Sequence, residues 1–357
     1  MGRVISWRRY VDGVERAAAA RAAATKFSAA PSVGFDLLET DGRPDDLSGL
    51  LRHAGAAIES PERYFEPDTP VEFTQDGESI TFKSPLASGA ANDVARARLS
   101  EVRHRERAVV LLHHWNAEVE AYRPFARLLA ASGIACLQLS LPYHHERRTP
   151  GVGFARELVC ENLGLTIRSN RQAILEVRAC LAWLERQGFR RLGIIGVSVG
   201  SSIGSIVAAL DSRVSAAVLI LMADDFAEVV WTGSATAHVK SSLERRFFIP
   251  GGAGRVGAYQ PGHLRRTAQP TAQSRIDHIG PARRGVYSGI DPPLRGQAID
   301  ARAELSVDSF RLRTLYAAAV PIFGADRHEY HHLSAATALT PRTRFFILGL
   351  QRYTLRS

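Results

Sequence analysis

The chain has 357 residues, 45% hydrophobic and 23% charged, ordinary proportions for a globular protein that buries a sizeable core. Its net charge of +9 rests on arginine, since Lys26, Lys83 and Lys240 are the only lysines among 45 basic residues. The arginines are spread out and lack interleaved aromatics, so no nucleic-acid partner is expected, and no run of about 18 apolar residues exists to span a membrane.

Cys136, Cys160 and Cys180 are odd in number, lack metal-ligand spacing and lie in or beside apolar stretches. They read as buried free thiols in a reducing compartment. The N-terminus is basic, then alanine-rich from Arg16 to Ala24, without the continuous apolar core of a secretory signal. The expected location is therefore cytoplasmic. Met1 to Ser6 formally fits a myristoylation pattern, but nothing else points to a lipid anchor.

Residues 1–70 read as a helical N-terminal extension, with helices over Val11 to Lys26 and Asp46 to Ile58. In the second, Leu47, Leu50, Leu51 and Ala54 follow Asp46 as one apolar stripe. Val71 to Thr74 and Ser79 to Phe82 alternate around Asp76-Gly77, a hairpin that begins the sheet with antiparallel strands. Residues 71–357 read as one domain of α/β class, a doubly wound, mostly parallel sheet. Its strands are Ala108 to Leu112, Ile134 to Leu139, Leu192 to Ile195 and Val214 to Leu221. Its helices are Tyr122 to Ser132, Arg171 to Gln187 and Ile203 to Leu210. Beyond about 235 the periodicity fades. The stretch from about 234 to 283 reads as an irregular insertion or lid, and residues 250–300, rich in Gly, Pro, Arg and Gln, read as a surface insertion or lid or as a stretch translated in a shifted frame.

Chemistry concentrates at Gly196-Val197-Ser198-Val199-Gly200, between an apolar strand and a helix. A G-x-S-x-G turn in that context is the serine nucleophile elbow, whose sharp backbone needs glycine where a Cβ would clash. A serine hydroxyl is a poor nucleophile at neutral pH and needs a base, an orienting acid and an oxyanion hole. One oxyanion donor is the Val199 N–H at the helix N-terminus. The second is expected from the loop His113-His114-Trp115-Asn116, presented by Trp115 or by His114.

His114-Trp115-Asn116-Ala117, Ser140-Leu141-Pro142-Tyr143-His144, Arg171-Gln172-Ala173, the Ser198 turn, Ala223-Asp224-Asp225-Phe226 and Trp231-Thr232-Gly233 together resemble the alpha/beta-hydrolase superfamily. Within it they resemble the abhydrolase-domain-containing group, over roughly residues 60–245. The resemblance implies hydrolysis of a carboxylic ester or related acyl substrate by a triad in the order Ser, acid, His, with no metal or organic cofactor. Ser288-Gly289-Ile290-Asp291-Pro292-Pro293 looks like the acid turn, with His328 beyond the strand-like Leu315 to Phe323, which gives Ser198, Asp291 and His328. His331 or His332 can substitute as the base. A rival register places the acid at Asp326 and the last strand at Arg344 to Leu348. Arg352 then stands near the expected base, and an arginine that stays protonated predicts a catalytically impaired homologue that binds a ligand or partner.

Asp224 and Asp225 are candidates for the acid of a variant triad, but adjacent carboxylates more often serve as a cap and a solvated charge. His328-Glu329-Tyr330-His331-His332 matches H-E-x-x-H but lacks a third ligand, so no metal is expected. Gly196, Gly200 and Gly204 do not make a dinucleotide loop. The sequence leaves the substrate and the oligomeric state open.

Overall fold

The computed structural model describes residue 17 and residues 34–38, 47–67, 70–86, 90–118, 120–223, 226–247 and 344–348. The helix expected over Val11 to Lys26 lies almost wholly outside them. The second expected helix is α1 (Leu47–Glu59), and it is followed by the short α2 (Pro61–Tyr64). Leu50, His53, Ala54 and Ala57 are buried at helical spacing along α1, the stripe that docks it.

The hairpin forms as its pattern predicts. β1 (Phe73–Asp76) pairs antiparallel with β2 (Ser79–Lys83), Asp76 standing opposite Ser79. Gly77 takes φ +56° in the turn, a left-handed value that costs glycine little. A third antiparallel strand, β3 (Val94–Ser100), adds to β2 and then to β5, and the sequence pattern does not anticipate it. Its Ala95, Ala97 and Leu99 point inward and Arg96 outward, the two-residue period of a half-buried strand.

The strand-helix alternation follows. β4 (Arg107–Leu112) leads to α3 (Arg123–Ala131), and β5 (Ala135–Ser140) to α4 (Leu163–Arg186). β6 (Arg191–Val197) leads to α5 (Val199–Leu210), then come β7 (Val214–Ile220), α6 (Phe226–Thr232), α7 (Ala237–Phe247) and β8 (Arg344–Leu348). The eight strands lie in the order β1-β2-β3-β5-β4-β6-β7-β8, with β5-β4-β6-β7-β8 parallel.

α4 begins eight residues before the expected Arg171, where the Asn162 side chain accepts the Leu165 N–H at 2.8 Å and caps it. Gly164, Thr166, Ser169 and Asn170 are weak helix formers, but all except Asn170 are buried, so packing overrides propensity there. Within the stretch expected to be irregular from about 234, residues 237–247 form α7. Val239 and Leu243 are buried one turn apart on it. The remainder of that lid-like stretch lies outside the described residues.

Helices cover both faces. On one, Val110, Leu112, Leu137, Ile194 and Leu219 share an apolar cluster with Ile174, Val177 and Leu181 of α4 and Ile203 and Val207 of α5. On the other, Leu111, Cys136 and Ile195 pack with Ala126 of α3. Each fully buried leucine or isoleucine contributes about 1.5–3 kcal/mol. The segment after α1 is fastened to α4, where Arg171 Nε donates to the Tyr64 carbonyl at 2.9 Å and its guanidinium lies 4.5 Å over the Tyr64 ring.

One topological feature positions the site. The chain runs from β4 to β5 on one side, then crosses β4 to lay β6 on the other. Open parallel sheets form a ligand crevice at the carboxyl ends of strands where the order reverses in this way. Here that point lies between the ends of β4 and β6.

Candidate active site

Ser198 closes β6 and caps α5 with φ +53° and ψ −118°, a conformation an L-residue holds only under constraint. Its N–H donates to the Ile220 carbonyl at 2.9 Å, and its carbonyl accepts the Ser201 N–H at 2.8 Å. Its neighbours make the turn possible. A Cβ on Gly196 would sit 2.4 Å from the Gly200 carbonyl oxygen, and one on Gly200 would sit 2.5 Å from the Leu112 oxygen. Glycine at 200 therefore lets the start of α5 touch the end of β4. Ser198 itself is exposed, and among the described residues its hydroxyl has no hydrogen-bond partner.

Non-glycine residues with positive φ gather at the same edge. Asn116 follows β4, Tyr143 and His145 follow β5, Ser198 follows β6 and Leu221 follows β7. These are the five among the described residues, and all lie at carboxyl ends of parallel strands. Such strain concentrates at functional sites because the surrounding structure must over-determine it.

Four histidines stand at the ends of β4 and β5. His113 Nδ1 donates to the His114 carbonyl at 2.8 Å, and its Nε2 accepts the Leu141 N–H at 3.1 Å. His144 Nδ1 donates to the Pro142 carbonyl at 2.9 Å, and its Nε2 accepts the Asn116 N–H at 2.9 Å. A carbonyl can only accept and an amide N–H can only donate, so both rings are neutral and protonated at Nδ1. His145 takes the opposite tautomer. Its Nε2 donates to the Ala117 carbonyl at 3.0 Å, and its Nδ1 accepts the Ser140 hydroxyl at 2.8 Å. His114 Nδ1 is hydrogen-bonded to the Tyr122 hydroxyl at 2.6 Å.

Burial pushes His113 down to about 3 and His144 well below the usual histidine value, and it lowers His114 and His145 as well. His113, His144 and His145 thus hold backbone in place, and their ring nitrogens are all engaged.

Trp115 and Asn116 are pinned to a second loop. Trp115 Nε1 donates to the Ala155 carbonyl at 2.7 Å, while Asn116 Oδ1 accepts the Ala155 N–H at 2.7 Å. The Asn116 N–H is taken by His144, and the Ala117 N–H donates to the His114 carbonyl at 3.2 Å. Among the described residues the Trp115 and His114 amides have no such partner.

Beneath this edge lies a fully buried ion pair that sequence reasoning does not find. Arg147 meets Glu176 in a bidentate contact of 2.6 and 2.7 Å, both side chains 0% exposed. Arg147 also donates to the Ser140 carbonyl at 2.8 Å and the Asn92 carbonyl at 2.7 Å. Glu176 accepts from Ser84 Oγ at 2.7 Å and Gln172 Nε2 at 3.0 Å, and Asn92 Oδ1 accepts the Tyr143 N–H at 2.9 Å. The Gln172 and Glu176 spacing on one helix face is the one local signal. A cavity of about 60 Å³ on the helical side is lined by Ala57, Tyr64, Ile174, Ser202 and Ile203 and does not include Ser198.

Of the residues singled out from the sequence, Ser198, Val199 and Trp115 are described. Val199 is the first residue of α5, and the next residue, Gly200, lies close to the Leu112 and His113 carbonyl oxygens at the start of the loop that carries Trp115. Asp291 and His328, the alternatives Asp326, His331 and His332, and the pair Asp224 and Asp225 lie outside the described residues. Arg344–Leu348, the last strand of the rival register, is β8 beside β7.

Residues 93–244 match the family described as "Alpha/beta hydrolase domain containing 18". The match and the strand order give this segment an alpha/beta-hydrolase fold. No curated protein matches the chain in sequence. Among solved structures, this chain is similar to a cold-adapted esterase from an Arctic intertidal metagenomic library. The identity is 22%, the TM-score 0.31, and the match covers 49% of this chain and 69% of that one. It is also similar to an acetyl xylan esterase from Paenibacillus sp. R4, at 15% identity and TM-score 0.36, covering 58% and 69% of the two chains. An alpha/beta hydrolase from Penicillium sp. sh18 matches at 17% identity and TM-score 0.29, covering 36% and 41%. The chain thus spans between 41% and 69% of these three proteins' own lengths. No helix among the described residues is long and apolar enough to cross a membrane.

Proposed function

We propose that the protein is a cytoplasmic serine hydrolase that cleaves a carboxylic ester or related acyl substrate, with Ser198 as the nucleophile. The observation that carries this reading is the Ser198 turn. It is an exposed hydroxyl on a backbone at φ +53°, ψ −118°, between two glycines whose replacement would collide with backbone, at the start of a twelve-residue helix. A serine held in that way is set apart from its surroundings and open to a substrate carbonyl. The Val199 N–H at the head of α5 and the Trp115 N–H from the β4–α3 loop are the oxyanion donors. In the leading assignment His328 takes the proton from Ser198 and returns it to the leaving group, and Asp291 orients the imidazole.

A second reading, a catalytically impaired homologue that binds a ligand or partner, draws on one observation. Arg344–Leu348 is a strand, as the register with Asp326 and Arg352 requires. Fluorophosphonate labelling separates the two. The hydrolase reading expects covalent label on the wild-type protein, its loss in Ser198→Ala, and loss of turnover of a simple aryl ester in His328→Ala and Asp291→Ala. Label that persists in Ser198→Ala disproves the nucleophile. Full turnover in His328→Ala and Asp291→Ala disproves the acid and base. A wild-type protein that neither labels nor turns over supports the impaired homologue.

A further inference from the structure

We propose that His144 is a positioning residue of the oxyanion hole, holding the Asn116 amide so that the Trp115 N–H one peptide earlier faces the Ser198 turn. The inference rests on the serine-hydrolase reading and adds to it a residue outside the triad.

A core histidine satisfied by its own neighbourhood would need no such role. His144 instead joins two strand ends 28 residues apart in sequence, its Nδ1 donating within its own β5 loop and its Nε2 accepting from the β4 loop. It is completely buried, so an unmet nitrogen would cost the desolvation of a polar group, and both nitrogens are met. Asn116 is the residue that needs holding. It sits at φ +59°, and three bonds define its surroundings: its N–H to His144, its Oδ1 from the Ala155 N–H, and the Ala117 N–H to the His114 carbonyl. With the Asn116 N–H aimed at His144, the peptide plane between Trp115 and Asn116 is set.

His144 is itself anchored from below. The preceding Tyr143 N–H donates to Asn92 Oδ1 at 2.9 Å, the Arg147 N–H donates to the His144 carbonyl at 2.9 Å, and Arg147 is locked to Glu176. Rigidity thus passes from the buried ion pair through the β5 loop to the donor that must be in place before charge develops on the substrate oxygen.

Two substitutions separate this role from a structural one. In His144→Gln the amide oxygen can reach the Nε2 position and still accept the Asn116 N–H, while the donor to Pro142 is lost. In His144→Asn the shorter amide can keep the Pro142 bond and loses the acceptor for Asn116. Each removes one buried hydrogen bond, so stability alone should fall similarly in both. The second-order rate of fluorophosphonate labelling at Ser198 should stay near wild type in the glutamine variant. In the asparagine variant it should fall by at least about tenfold, toward the 10²–10³-fold cost of losing an oxyanion donor outright. Hydrogen exchange across residues 113–117 should quicken in the asparagine variant only.

Equal labelling rates and equal exchange in two folded variants overturn the proposal. If the asparagine variant does not fold, nitrogen NMR of the wild-type imidazole decides, since a protonated Nε2 on His144 is incompatible with accepting from Asn116. A wild-type protein that takes no label at Ser198 overturns the underlying reading instead, and the loop-holding role is then judged by exchange alone.

Discussion

At Ser198 the backbone carries a cost that the side chain must justify. A non-glycine residue at φ +53° and ψ −118° stores about 1–3 kcal/mol of strain. It persists because the Ile220 carbonyl holds its N–H, the Ser201 N–H holds its carbonyl, and Gly196 and Gly200 leave space only for a chain bent this way. Glycine adopts that conformation freely but loses roughly 0.5–1 kcal/mol more backbone entropy on folding. Strain outweighs this entropy loss, so Ser198→Gly should stabilise the protein by about 1 kcal/mol. Ser198→Ala keeps a Cβ and should leave stability nearly unchanged. Thermal melts of the two variants beside wild type check this. A glycine variant that melts no higher than the alanine variant shows that the turn is not strained.

At the scale of elements, the Arg147–Glu176 pair ties the β5 loop to α4 and to the segment that precedes β3, three pieces that the chain brings together from residues 84 to 176. Two charges at 0% exposure gain little over a well-packed apolar pair, but removing one strands the other in a low-dielectric interior at a cost of about 3–5 kcal/mol. Arg147→Met and Glu176→Leu should each lower the unfolding free energy measured by urea titration by that order. The double variant should be more stable than the sum of the single losses, and additive losses would mean the pair is not coupled.

This pair also shows where sequence reading stops. The parallel strands, the hairpin and the Ser198 turn are legible because each is written locally, as an apolar run, as alternation around Asp76-Gly77, and as glycines flanking a serine between strand and helix. β3 is not, because its inward residues Ala95 and Ala97 carry little strand signal and acquire their meaning only against β2 and β5. The first turns of α4 are hidden by polar residues whose burial is tertiary. Arg147, Glu176 and Asn92 read as ordinary surface types, and the bonds that His113 and His144 make between the β4 and β5 loops each span 28 residues. The acid and base expected at Asp291 and His328 fall in the part of the chain with the weakest periodicity.

Across the described residues the buried histidines contribute a shared response to acid. Burial dominates in holding the His113 ring near 3; the hydrogen bond to the His114 carbonyl opposes it, while His145, His114 and the Arg147 guanidinium resist a further positive charge. In the unfolded chain the same ring titrates near 6.5. Between those values the unfolded state binds the proton and the folded state does not, so stability rises with pH across that window and is lost as pH falls from about 6.5 toward 3. Above 6.5 both states are neutral and the contribution is flat.

His114, His144, His145 and His238 are lowered by burial and act in the same direction. Chemical denaturation at several pH values should therefore show stability falling steeply below about pH 6.5, near the ordinary histidine value. His113→Gln can still accept the Leu141 N–H and cannot be protonated in this range, so it should make that slope shallower while lowering stability at pH 8. An unchanged slope would place the acid sensitivity elsewhere. Because these rings clamp the loops that flank Ser198, protonation and loss of the site belong to one event. Fluorophosphonate reactivity should then decline with the folded fraction across the same pH range, with no earlier step.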